Sequence, residues 1–98
     1  MSTLHILSRA PSDTACWQDC LTACSEGDTL LLIENGVYGA QQRPATLPTQ
    51  TEFVALQADA DARGLSSLLH NSGQHAQLID DAGFVARCVQ HQQTVSWF

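Results

Sequence analysis

Thr29-Leu30-Leu31-Leu32-Ile33-Glu34, closed by Asn35-Gly36, is the stretch whose reading decides the fold. Leu30 to Ile33 are apolar without alternation, so neither face of the segment is patterned for water. Runs of this kind suit a strand buried on both faces, as in parallel sheets that carry helices. Asn35-Gly36 then breaks the run.

On the N-terminal side, Thr3 to Ser8 reads as a first strand, ended by Arg9-Ala10-Pro11. Ser12-Asp13 offers an N-cap, and residues 13–25 read as a helix ended by Gly27. At about 100° per residue, Ala23, Cys16, Cys20, Cys24, Trp17 and Leu21 fall within about 160° of arc. On the C-terminal side, Val37 to Gln41 reads as a short helix and Gln42 to Gln50, with Pro44 and Pro48, as a loop. Glu52 to Leu56 reads as a third strand, and Ala58 to Arg63 as a helix closed by Gly64. A helical turn is expected over Leu65 to Leu69, and a turn at Asn71-Ser72-Gly73. Ala76 to Ile79 reads as a fourth strand. Asp80 to His91 reads as a helix with Phe84, Val85, Cys88 and Val89 inward, and Thr94 to Phe98 as a closing strand. Alternating strands and helices predict βαβ units with right-handed crossovers. The expected fold is α/β: one domain over residues 1–98, in three layers, with a mostly parallel sheet of about four to five strands flanked by helices.

The 98 residues suit a single core. Apolar residues make up 44% of the chain and charged residues only 14%, so much of the surface is neutral and part of it is expected to be covered by a partner. The net charge is −6; there is no lysine, and the cations besides histidine are Arg9, Arg43, Arg63 and Arg87. Nucleic-acid binders neutralise phosphates with clustered Lys and Arg. Four scattered arginines build no such stripe, so no direct binding of RNA, DNA or an anionic membrane surface is expected. Met1 to Leu7 has neither a basic leader nor a long apolar run, and a cytoplasmic location is expected. There, Cys16, Cys20, Cys24 and Cys88 are expected to be thiols.

The stripe Cys16, Cys20, Cys24 is the most chemical-looking feature. Its spacing matches no zinc pattern, since structural zinc sites pair cysteines two to four residues apart and need a second pair. No C-x-x-C redox motif is present either. Burial in the helix arc is the simpler reading. A helix N-terminus lowers a thiol pKa and a C-terminus raises it, which ranks Cys16 above Cys20 above Cys24 in acidity. Asp13 and Asp19 oppose thiolate formation, so only a modest nucleophile is expected on this helix; with reactivity also needing exposure, slow alkylation is expected for all four thiols. His5, His70, His75 and His91 show no H-x-x-x-H pattern and read as ordinary residues, not ligands. Asp80-Asp81 precedes a helix and reads as N-cap and dipole partner. Glu34-Asn35-Gly36 stands where α/β folds place ligands, with a plain turn as the alternative. No G-x-G-x-x-G and no Walker A motif occurs. Neither a cofactor nor a metal is expected.

Several segments in order resemble the TusB/DsrH family. Leu4-His5-Ile6-Leu7-Ser8-Arg9-Ala10-Pro11 resembles its opening "LH.L.RSP", and Glu26 to Ala40 its "EGD.LLL..DGV.AA" block. Asp59 to Leu65 matches "D..ARGL", Leu78-Ile79-Asp80 with Phe84-Val85 matches "ID...FV", and Val95-Ser96-Trp97 matches the terminal tryptophan motif. Asn35 stands where Asp is usual, and Asp81 where an aromatic is common. Cys16, Cys24 and Cys88 lie outside the pattern.

The resemblance implies a DsrEFH-like fold and an accessory subunit rather than an enzyme that works alone. It implies assembly with two paralogous subunits, TusC/DsrF-like and TusD/DsrE-like, in a dimer of heterotrimers. Small donor and acceptor proteins would exchange persulfide sulfur with that complex. In the TusBCD type the sulfur ends in the 2-thio group of wobble uridine in tRNA; in the DsrEFH type the complex serves dissimilatory sulfur oxidation. Some members carry a cysteine six residues before the Glu-Gly of the block, which here is Cys20, a candidate sulfur carrier. A structural interaction module without a sulfur role is the third reading.

Overall fold

The computed structural model describes residues 2–71 and 74–98. Among them run β1 (Thr3–Leu7), α1 (Thr14–Ala23), β2 (Thr29–Leu32), β3 (Glu52–Leu56), α2 (Gln57–Ala62), β4 (Gln77–Ile79), α3 (Asp81–Gln90) and β5 (Gln93–Trp97). Two 3-10 segments, Glu34–Gly39 and Leu68–Asn71, lie between them. The expected helix over 37–41 is thus a 3-10 segment that starts three residues earlier, and the helical turn expected over 65–69 lies further on. Ser72-Gly73, in the turn expected over 71–73, lies outside the described residues.

All strand pairs are parallel, in the order β4-β3-β2-β1-β5. Strand alternation divides the core in two. Leu7, Leu30, Leu32, Phe53 and Ala55 face α1, α2 and both 3-10 segments. Leu4, Leu31, Val54 and Ile79 face the other way, toward Phe84 of α3. Chain direction and handedness account for this split. From β1 to β4 each step moves the same way across the sheet, so right-handed crossovers stack on one face. The return from β4 to β5 runs the opposite way and puts α3 alone on the other face. The continuous apolar run of β2 follows directly, because all four of its residues are buried.

The caps are those the sequence offers. Asp13 accepts from the Cys16 N–H at 3.2 Å, and Asp80 from the Gly83 N–H at 2.8 Å. Gly64, at φ 69°, closes α2. Its N–H bonds the Asp61 carbonyl and the Leu65 N–H bonds the Ala60 carbonyl, a Schellman pair. Helix α1 ends earlier than expected: Cys24 is already extended at ψ 135°, and Ala23 is exposed.

Helix α3 departs most from expectation. Phe84 is half-buried, but Val85, Cys88 and Val89 point outward. The sheet beneath α3 offers Glu52 and Thr29, and the helix is turned to meet them. Arg87 binds Glu52 at 2.8 Å, and His91 Nε2 meets the Thr29 hydroxyl at 2.8 Å. Thr29 already donates to Glu52 at 3.0 Å, so His91 Nε2 donates and Nδ1 is left as an acceptor. That Nδ1 is buried with no hydrogen-bond partner among the described residues.

Candidate functional site

Asp28 immediately precedes β2, is 4% exposed, and ties three segments together. One carboxylate oxygen accepts the Thr3 N–H at 2.9 Å. The other accepts the Ser25 N–H at 2.9 Å and faces His5 Nε2 at 3.0 Å. The Trp97 indole N–H, which can only donate, reaches His5 Nδ1 at 3.2 Å. Nδ1 therefore accepts, and Nε2 carries the proton directed at Asp28. The Trp97 ring stacks on His5 with centroids 6.2 Å apart. Burial pushes the Asp28 carboxyl up, but the Ser25 N–H, His5 and the Thr3 N–H together hold it below its ordinary value. His5, Asp28 and Trp97 come from three of the sequence motifs and meet at one point.

Cys20 and Cys24 pack beside this point, both buried. The neighbouring Cys24 sulfur and burial together push the Cys20 thiol up. Its neighbour Cys20 pulls the Cys24 thiol down, against burial and the Asp28 charge. Cys24 has left the helix, so helix position alone does not rank it against Cys20. His5, Cys20 and Cys24 bring their donor atoms within 4.8 Å of one another, all three buried. Sequence reading missed this group because His5 arrives from another element.

Of the remaining thiols, Cys16 is half-buried and Cys88 exposed. Uniformly slow alkylation is thereby corrected, since Cys88 lies on the outward side of α3. Iodoacetamide mapping of the native chain should modify Cys88 first, Cys16 next, and Cys20 and Cys24 last. Modification of Cys20 before Cys88 would contradict this burial order.

The Glu34-Asn35-Gly36 turn is occupied internally. The Glu34 N–H, at a residue with φ 48°, donates to Asp59 at 2.7 Å, and Arg63 Nε donates to Asn35 at 3.1 Å. Two motif segments thus lock each other, and the plain-turn reading fits. His75 Nδ1 lies 2.7 Å from the Ala76 carbonyl oxygen. The arginines are engaged too: Arg9 with Asp13, Arg63 with Asp59, Arg87 with Glu52, and Arg43 with the carbonyls of Pro48 and Thr51. No helix among the described residues is long and apolar enough to cross a membrane.

Comparison with known proteins returns one family model, "DsrH like protein", over residues 9–94. Protein TusB of Pectobacterium parmentieri is 32% identical over 98 residues, covering 96% of this chain and 99% of that protein. Protein TusB of Escherichia coli K12 is 35% identical over 98 residues with the same coverage. Protein TusB of Enterobacter sp. strain 638 is 34% identical over 101 residues.

Proposed function

Because the chain belongs to the TusB/DsrH family, we propose that it is the structural subunit of a sulfur-relay complex whose sulfur serves 2-thiolation of wobble uridine in tRNA. The observation that carries this reading is the match to TusB proteins along 96% of the chain. The TusBCD branch of the family is the one tied to wobble uridine. In the relay, an acceptor thiolate attacks the outer sulfur of a donor persulfide. The donor S–S bond breaks, a new S–S bond forms on the acceptor, and the donor leaves as a thiolate, with no net oxidation. Such an acceptor must be ionised and reachable. Cys20 is fully buried, and its neighbour Cys24 and burial push its thiol up, which favours a partner subunit as the site of that attack.

Assembly in the cytoplasm with two paralogues as a dimer of heterotrimers is part of the same proposal. Support comes from the low charge density and from large apolar side chains left exposed: Tyr38, Leu68, Val85, Val89 and Phe98. Co-expression with both paralogues should yield one complex by size-exclusion chromatography with light scattering. A chain that stays monomeric beside them at micromolar concentration would sink the proposal.

The second reading makes Cys20 a sulfur carrier within the complex. It gains from the place of the Cys20–Cys24 pair at the end of α1, beside the exposed Ser25-Glu26-Gly27 turn. Persulfide mapping by mass spectrometry after exposure to a loaded donor separates the two. Sulfur on Cys20 supports the carrier, whereas an unlabelled chain in an assembled complex supports the structural role.

A further inference from the structure

We propose that His5, Cys20 and Cys24 form a binding site for a monovalent thiophilic ion, Cu(I), at the C-terminal end of α1. Two thiols and an imidazole, from α1, its C-cap and β1, place their donor atoms within 4.8 Å of one another. They are 0%, 7% and 3% exposed for Cys20, Cys24 and His5. Thiolate and imidazole donors suit Cu(I) and Zn(II), and coordination number decides between them. Zinc takes four ligands, or three and a water in an open position. The neighbouring carboxylate of Asp28 already serves two backbone N–H groups and His5, and burial of all three donors leaves little room for water. Cu(I) is content with two sulfurs and one nitrogen.

Binding releases thiol protons to solvent. The imidazole gives up one of two partners, the Asp28 carboxylate or the Trp97 indole. The three donors lie next to the exposed Ser25-Glu26-Gly27 turn that follows Cys24. Trp97, stacked on His5, is a built-in optical reporter. This inference stands apart from the sulfur-relay proposal, and neither needs the other.

The test titrates the reduced full chain with Cu(I) under anaerobic conditions, in competition with the chromophoric chelator bicinchoninate. The expected result is one equivalent withheld from the chelator, with tryptophan fluorescence changing to the same end point. X-ray absorption on the loaded chain should show two sulfur neighbours and one nitrogen, as the three residues require. Cys24→Ser should weaken binding by about tenfold or more, and Cys88→Ser should leave it unchanged. No Cu(I) withheld, an all-sulfur shell, or undiminished affinity in Cys24→Ser would each overturn the site. If Cys24→Ser does not fold, the coordination shell of the wild-type chain decides alone.

Discussion

Asp28→Ala should lower the unfolding free energy by about 3 kcal/mol or more, because three N–H donors lose their buried acceptor at about 1–3 kcal/mol each. Its side chain and that of His5 are 5% and 4% exposed, so water cannot easily replace what is lost. The substitution leaves the N–H groups of Thr3 and Ser25 and the Nε2 of His5 without their acceptor. A buried polar group left unpaired costs about 1–3 kcal/mol. β1, β2 and the end of α1 all loosen together, because one carboxylate joins them. Urea unfolding followed by circular dichroism measures the change, and a loss under about 1 kcal/mol would refute the central place given to Asp28.

The same residue sets part of the acid response. Asp28 and Glu52 both hold folded pKa values below their ordinary ones; for Glu52 the chief cause is the hydrogen bond from Arg87. A depressed carboxyl contributes stability fully above its unfolded pKa, about 4, and loses it as pH falls through the folded value. Wild-type stability should therefore drop as pH falls below about 4. Asp28→Ala should show a shallower drop, since only the Glu52 share remains. Equal slopes in the two proteins would contradict the assignment to Asp28.

Gly36→Ala should be nearly as damaging, at about 3 kcal/mol, the upper end for overpacking. Its φ is not positive, so conformational freedom is not the issue. A Cβ there would overlap the backbone carbonyl of Leu7. That carbonyl is held in place by the Ile33 N–H at 3.1 Å and cannot swing aside like a side chain. Gly27→Ala is the matched control. Gly27 has φ 90° and open space around its Cβ position, so its cost is backbone strain alone, about 1–2 kcal/mol. Thermal melts of the two variants should rank Gly36→Ala well below Gly27→Ala, and the reverse ranking would show that strain outweighs contact here.

The sheet was legible because β2 carries three consecutive buried leucines, Leu30 to Leu32, a run that suits a doubly covered strand. The caps Asp13 and Asp80 were legible because side-chain chemistry and helix start coincide. Helix α3 was misread for a physical reason. Periodicity marks an apolar stripe but not what faces it, and Arg87 and His91 turn that helix toward Glu52 and Thr29. Val85 and Val89 then remain outside, where a paralogous subunit can cover them. The candidate site was only half visible. Cys20 and Cys24 stood out by spacing, yet His5 and Asp28 join them only through the parallel pairing of β1 with β2. Each of those two residues lies in a motif segment, and that was the signal available: a histidine and an aspartate retained in apolar surroundings need each other.

Whether this chain serves tRNA thiolation is tested most directly in the source organism by deleting its gene and analysing tRNA nucleosides by mass spectrometry. 2-Thiolated wobble uridine should fall to background, return when the chain is supplied on a plasmid, and return also with Cys20→Ser, as a structural role requires. Undiminished 2-thiouridine in the deletion strain would contradict the proposed function.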